Sequence, residues 1–510
     1  MSRRNFWIGY ALLAALYVVP LLWVVHPPAM DLPGHLAIAT VVAMRGQPGD
    51  PYADLFTVPS WLAPNTLYTY LVGGLGRVLP IDAVSKGLLA LAILCTPLSI
   101  LALCRARRAP GASALAGFAL AATFNLVAGF IGFCLALPLV LFMVALAHEQ
   151  AEHPTGWRAA LLSIVSVLLF FAHAQLFLFG VFLAGLAALF AAAPGRRGRA
   201  AVGAVLPAAA ALVPALPWLL HTSRAMASAG GLRPRFMTPG VMIEYLPIHT
   251  FDVLRGHADV LLGALLVAGL LVCRVLRPRR LEQPPLRRNA IDALGAVTLI
   301  SYFVLPAHVR DQSVINGRQA VLALLLLAGA TDVDLGRRAG RVALTGLLAL
   351  ATAYGVLFAT ATLRLGVEAG DLRALMSRLA PGSRLIALST PKSAVFRVDV
   401  YRHVASYHAA WNRGLVADTF ATRSVHPVRT TTAWRAPRPG RRWQESSALD
   451  FYDAVLLDRS AASPRLSPLG RAGPFHLYRV EKPGKTPTRS SAAPSESRKP
   501  IGPASQPAGR

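Results

Sequence analysis

What most constrains this chain is a succession of apolar runs of membrane-crossing length, separated by short clusters rich in arginine. The runs fall at about 6–26, 83–104, 112–126, 129–147, 158–173, 175–193, 200–220, 259–276, 289–306, 319–331 and 341–363. A helix of about 20 apolar residues crosses the hydrocarbon of a bilayer. Irregular backbone facing lipid is excluded, because its polar groups would find no partner there. The expected fold class is therefore an all-α polytopic membrane protein of about eleven transmembrane helices. Composition agrees: 15% of residues are charged, against roughly 25% in soluble chains.

The 51 Lys and Arg against 24 Asp and Glu leave a formal charge of +27. Such an excess suggests nucleic acid when it forms one patch. Here it is divided into clusters such as RARR, GRRGR and RVLRPRR between apolar runs, with no aromatic-basic interleaving, so no nucleic-acid partner is expected. The division fits the positive-inside rule. With Arg3 and Arg4 in the cytoplasm, alternation of the spans puts the clusters at 105–108, 196–199, 277–288 and 337–341 there too. Residues 27–82, 221–258 and everything after 363 then fall outside. The apolar stretch after Arg4 lacks a small-x-small cleavage site and reads as an uncleaved first span. Cys95, Cys104, Cys134 and Cys273 lie in or beside apolar runs and read as small core hydrophobes.

Within the first external segment, DLPGHLAIATVVAMRG reads as a short amphipathic helix, and WLAPNTLYTYLVGGLGRVLP is apolar enough to lie at the membrane interface. After a transmembrane domain over 1–363, the strand-like RLIALS, YDAVLLD and FHLYRV and the helix-like LRALMSRLA point to a small external α/β domain over 364–480. Residues 481–510, rich in Pro, Ser and basic side chains, read as a disordered tail.

The motif DLPGHLA sets Asp31 and His35 directly after the first span. Four residues apart, they share a helix face and could bind a divalent metal or hold an acceptor hydroxyl. The alternative is that Asp31 only caps the following helix, with Pro33 in its first turn. In LLFFAHAQLFLFG, His173 and Gln175 interrupt an apolar stretch, which suggests a cavity or the external tip of a helical hairpin, near Asp31. Arg310 and Arg318, in AHVRDQSVINGRQA, stand against the charge rule on the external side; they are candidate phosphate ligands, since a guanidinium fork matches phosphate oxygens, the alternative being simple pairing, as of Arg310 with the adjacent Asp311. The stretch YRHVASYHAAWNRG places His403, Tyr407, His408 and Trp411 at helical spacings, suited to stacking on a sugar or to packing. No motif for nucleotide binding, zinc hydrolysis or a serine nucleophile is present, and no cofactor is required.

One span, then a long external loop that opens with an acidic residue and carries further acids in DPYADLF, resembles the GT-C superfamily of polyprenyl-phosphate-dependent membrane glycosyltransferases. The many short spans, the external C-terminal domain and, loosely, NLVAGFIGFCLALPL share in the resemblance. It implies a bacterial-type inner (plasma) membrane location and a lipid-linked sugar donor in contact with membrane lipids. The acceptor stays open. It further implies Asp31 as general base or metal ligand, with a second acid among Asp50, Asp54 and Glu244. The sequence lacks the adjacent pair of acids most common in that superfamily. A different class of function, a transporter or flippase of lipid-linked saccharide or an assembly partner, remains open at this point.

Overall fold

The computed structural model describes residues 2–58, 63–228, 234–277, 289–309, 312–331, 333–422, 428–434, 436–440 and 443–482. Among them, seven helices are long and apolar enough to cross a membrane, from Arg3–Trp23 to the long helix that begins at Arg338 and runs unbroken to Ala369. Five shorter apolar helices accompany them: Leu32–Met44, Gly111–Val127, Gly156–Ala172, Ala290–Val304 and Gly317–Ala330. The last four coincide with apolar runs expected to cross, and the architecture is a polytopic helical membrane fold.

The physical reason is visible in where the apolar side chains go. Trp23, Leu178, Val275 and Val367 point outward and are exposed, a surface that hydrocarbon solvates and water does not. Inside, lipid gives no hydrophobic drive for helices to associate, so close contact must come from small residues. Gly355 and Gly366 of the last long helix supply it: a Cβ at either would lie 2.6 or 2.7 Å from Tyr17 or Val24 of the first. Tyr17 also donates from its hydroxyl to the Ala351 carbonyl, at 2.6 Å.

Two apolar runs are broken, and both breaks matter below. The Gly111–Val127 run changes direction at Ala122 and Thr123, so that Phe124–Val127 is a separate turn. Helices Gly156–Ala172 and Ala174–Ala191 meet at His173, whose extended backbone (φ −163°, ψ 110°) belongs to neither.

One expectation for the first loop is corrected. Leu32–Met44 is not an amphipathic surface helix: all of it except His35 is buried. Its sequence offers no charged face, and the structure covers it on several sides, by the helix Leu67–Leu75 and by the turns around Tyr407–Asn412 of the C-terminal region. Gly73 lets the first of these approach so closely that a Cβ would sit 2.8 Å from Val42.

The C-terminal region forms a five-stranded mixed sheet, in the order Leu415–Val416, Arg384–Ala387, Ala454–Leu457, Phe475–Val480, Leu466–Ala472. The first three strands are parallel, and the last two continue the sheet antiparallel as a hairpin. RLIALS, YDAVLLD and FHLYRV are thus strands. The two-residue strand at 415 and the Pro- and Gly-containing one at 466 carry no period-two signal.

Three connections hold this sheet against the helices. His26, just past the first helix, bonds through Nδ1 to the Tyr407 hydroxyl at 2.9 Å and through Nε2 to the Val400 carbonyl at 3.1 Å. Phe56–Thr57 pairs antiparallel with Arg429–Thr430. Arg397 and Arg255 donate backbone N–H groups to Val253 and Val395, at 2.8 and 2.9 Å.

Candidate functional site

The chain leaves the first helix and turns at Pro27 and Pro28 into DLPGH. Asp31 occupies the N-cap position of Leu32–Met44 in its backbone, yet its side chain makes no capping bond. The helix start is instead secured by the main chain: Met30 and Asp31 donate N–H groups to the carbonyls of Val127 and Ala128, at 2.8 and 3.3 Å. The broken run of NLVAGFIGF therefore lies directly under the motif. Gly129 is what permits it. Its φ is +77°, and a Cβ there would be 2.4 Å from the Asp31 nitrogen, so any side chain is excluded on two counts.

Released from capping, the Asp31 carboxylate faces His403 of the C-terminal region, Oδ1 to Nε2 at 3.4 Å. On its other side the same imidazole meets Asp418, Nδ1 to Oδ2 at 3.4 Å. Burial disfavours the imidazolium, but the two carboxylates outweigh it and raise the His403 pKa above its ordinary value. His35, one turn beyond Asp31, stands edge-on to Tyr68 and Phe420, at centroid distances of 5.8 and 5.1 Å.

Asp31, His35, His173, Arg318 and His403 all line one cavity of about 750 Å³ between the helices and the sheet region. Arg318, in the first turn of Gly317–Ala330, is buried; its Nη1 lies 3.1 Å from His173 Nε2, which accepts. The face of its guanidinium packs over Phe130, 4.6 Å from the ring centroid, and its Nε has no partner among the described residues. Asp31 lies within electrostatic reach of Arg318. The polar break at His173 thus orients Arg318, which enters the cavity from the start of an apolar helix.

Other expected residues sit elsewhere. Asp50 accepts from the Tyr52 N–H at 2.9 Å and shapes its own turn. Asp54 joins the contact between the first loop and the C-terminal region, its carbonyl accepting from the Thr431 hydroxyl at 2.7 Å. Glu244 is exposed on the helix Pro239–Thr250. None of the three lines the cavity. Arg310 lies outside the described residues.

The second carboxylate of the cavity is Asp252, buried and held by Arg397 Nε at 3.2 Å. Sequence reasoning missed Asp252, Arg397 and Arg402, and did not separate His403 from its neighbours. The signal available was the ionisable run RVDVYRH at 397–403. Of the four side chains in YRHVASYHAAWNRG, only His403 enters the cavity. Tyr407 and Trp411 stack on each other at 4.2 Å, and Arg373 lies over Trp411, so a sugar finds no free ring face there. His408 is bonded to the Ser383 carbonyl at 2.9 Å.

A metal is not suited to these residues. Among the described residues, no group of three or more His, Cys, Asp or Glu side chains could hold an ion, and Asp31 and Asp252 each already face a basic side chain.

No protein-family model and no curated protein sequence matches the chain. Its fold is similar to that of ArnT from Cupriavidus metallidurans, in the crystal structure bound to undecaprenyl phosphate and in the apo state, each at 12% identity and a TM-score of 0.52. Each match covers 94% of this chain and 98% of ArnT. The mycobacterial arabinofuranosyltransferase AftD also aligns, at 16% identity and a TM-score of 0.49, over 94% of this chain and 40% of its own. Similarity at this level is a statement about architecture: what such a scaffold does depends on the groups grafted into its cavity.

Proposed function

We propose that the protein is a membrane glycosyltransferase that moves a sugar from a polyprenyl-phosphate-type donor to an acceptor at the external face, in a bacterial-type inner membrane with the N-terminus cytoplasmic. The observation that carries this reading is the meeting of a carboxylate released from its cap, Asp31, with a buried arginine, Arg318, in one cavity on a GT-C scaffold. ArnT, of like fold, has been crystallised with undecaprenyl phosphate.

The chemistry needs a base on one side of the anomeric carbon and a cation on the other. Asp31 takes the proton of the acceptor hydroxyl as that oxygen bonds to the anomeric carbon. The bond from that carbon to the phosphate oxygen breaks, and its electron pair leaves with the polyprenyl phosphate, whose developing charge is met by Arg318. Attack and departure on opposite faces invert the anomeric centre. Arg310 is proposed as a second phosphate ligand on the same side. His35 and His173 position these groups, the first through Phe420, which also packs against the His403 that faces Asp31, and the second by accepting from Arg318.

The test is transfer from a labelled polyprenyl-phosphate sugar in membranes holding equal amounts of wild-type and Asp31→Asn protein. Loss of transfer in the variant is expected. Normal transfer by Asp31→Asn would overturn the mechanism, and a wild-type protein that moves the lipid-linked sugar across the bilayer without transferring it would be a flippase.

A further inference from the structure

The sheet region contains a second cavity that the proposed transfer does not use. Strand Arg384–Ala387 lies between two parallel neighbours: the chain passes from it to Leu415–Val416 on one side, and from there across to Ala454–Leu457 on the other. Two connections that depart in opposite directions from the carboxyl ends of adjacent parallel strands cannot both cover the sheet edge, and a crevice is left between them. The structure has it. A cavity of about 480 Å³ opens beyond Ala387 and Val416, and one of about 580 Å³ beyond Leu457 continues it, the two sharing Leu388, Ser389 and Pro439.

Its chemistry is cationic and hydroxyl-bearing. Arg402 lines it and has no side-chain partner among the described residues. Arg438 enters from the opposite wall, held only at 3.4 Å by Asp418, with its side chain largely exposed. Thr390 and Ser406 add hydroxyl groups. Two guanidiniums lining one crevice favour an anion there.

Arg402 and His403 line both this crevice and the cavity that holds Asp31. A single imidazole ring separates Asp418, in the crevice wall, from Asp31. A molecule seated on the sheet edge therefore lies against the far side of the Arg402 and His403 wall that the Asp31 cavity also uses.

We propose that the crevice at the carboxyl ends of the parallel strands binds an anionic saccharide, one carrying a carboxylate or a phosphate, with Arg402 and Arg438 on the charged group and Thr390 on a sugar hydroxyl. Only the assignment of this saccharide as the acceptor rests on the transfer reading; the binding site does not. The sheet edge then selects the acceptor by charge, while the membrane cavity handles the lipid-linked donor.

Binding to the purified full-length protein in detergent, with no donor present, tests this separately from transfer. Isothermal titration would use trigalacturonate and glucose 1-phosphate as the two anionic probes and maltotriose as the neutral one. The expected result is binding of at least one anionic probe and none of maltotriose; which of the two binds identifies carboxylate or phosphate. Arg438→Gln, a change on an exposed side chain that folding tolerates, should weaken binding about tenfold for one lost charge-assisted contact. Thr390→Val should weaken it less, and Arg318→Ala, in the other cavity, should leave it intact. Failure of both anionic probes, equal binding of maltotriose, or binding indifferent to Arg438→Gln and Arg402→Gln together would overturn the proposal. Transfer could fail while the probes bind, or persist while they do not, so the two readings fall independently.

Discussion

Along the last long helix, Val342 and Val367 are 64% and 83% exposed, whereas all four residues of strand Ala454–Leu457 are buried. Both segments are aliphatic. They differ in the medium outside: the helix turns its side chains toward hydrocarbon and keeps small and polar groups inward, and the strand hides its side chains from water on both sheet faces. The main cavity lies where these two regimes meet. Its helical wall supplies Asp31, His35, His173 and Arg318 from helix starts and breaks, and its sheet-side wall supplies Arg397, Arg402, His403 and Phe420 from connecting segments. In the proposed transfer the reacting groups, Asp31 and Arg318, both come from the helical wall.

The sharpest way to break that division is Asp31→Asn. Asparagine keeps the volume, and no capping bond is at stake, so protein levels should hold, and thermal stability should hold at roughly pH 9, where the facing His403 is neutral. Transfer should fall by about 10²- to 10⁴-fold, the usual contribution of a general base. A smaller loss than that caused by His403→Gln, measured in the same membranes, would reverse the assignment of the two walls.

Arg318→Ala should come next, with transfer reduced about 10- to 100-fold through loss of a charge-assisted contact to phosphate. The loss should appear largely in the KM for the donor, read by varying donor at fixed acceptor. Arg318→Lys should recover only part, since an ammonium lacks the planar fork that packs over Phe130.

Gly129→Ala tests whether the broken run beneath DLPGH sets the position of Asp31. A methyl at φ +77° and 2.4 Å from the Asp31 nitrogen should cost about 1–3 kcal/mol, seen as a lower midpoint of thermal unfolding in detergent, with transfer impaired as well. The neighbouring Gly132, at an ordinary φ, is not a substitute control, because a Cβ there would lie 2.7 Å from the Ala172 carbonyl. Gly74, with open space around it, is the control expected to tolerate alanine.

The smallest effect belongs to His403. Its folded pKa is raised, so the folded state holds the proton more tightly than the unfolded state. The stabilisation is complete below the ordinary histidine value and disappears as pH rises through the folded value. His403→Gln should therefore cost more stability at roughly pH 6 than at roughly pH 9, compared by thermal unfolding at both. Equal costs at the two pH values would show that Asp31 and Asp418 do not hold the imidazolium.

The sequence made a good deal of this legible. Arginine clusters between apolar runs identify a polytopic membrane protein, because no other solvent tolerates that pattern. Asp31, His173 and Arg318 stood out for the same reason, each being a polar group at the edge of an apolar stretch, where hydrocarbon makes an unexplained one expensive. The choice among Asp50, Asp54 and Glu244 as second acid could not be made in this way. Those acids lie in watered segments where a charge costs nothing, and one of them proved to serve a turn through the Tyr52 N–H.

By itself, then, the sequence determined the solvent, the helical class, the strand-forming segments RLIALS, YDAVLLD and FHLYRV, and the polar exceptions within the apolar runs, all of which depend on contacts between near neighbours in the chain. Only the tertiary structure decided that Asp31 leaves its cap to face His403, that Asp252, paired with Arg397, lines the cavity where Asp50, Asp54 and Glu244 do not, and that Leu32–Met44 is buried rather than amphipathic. Each of these joins the first loop or the late membrane helices to the sheet region. Pairings between segments so far apart leave no periodicity in the sequence, because they arise where two separately formed surfaces are pressed together at the edge of the membrane.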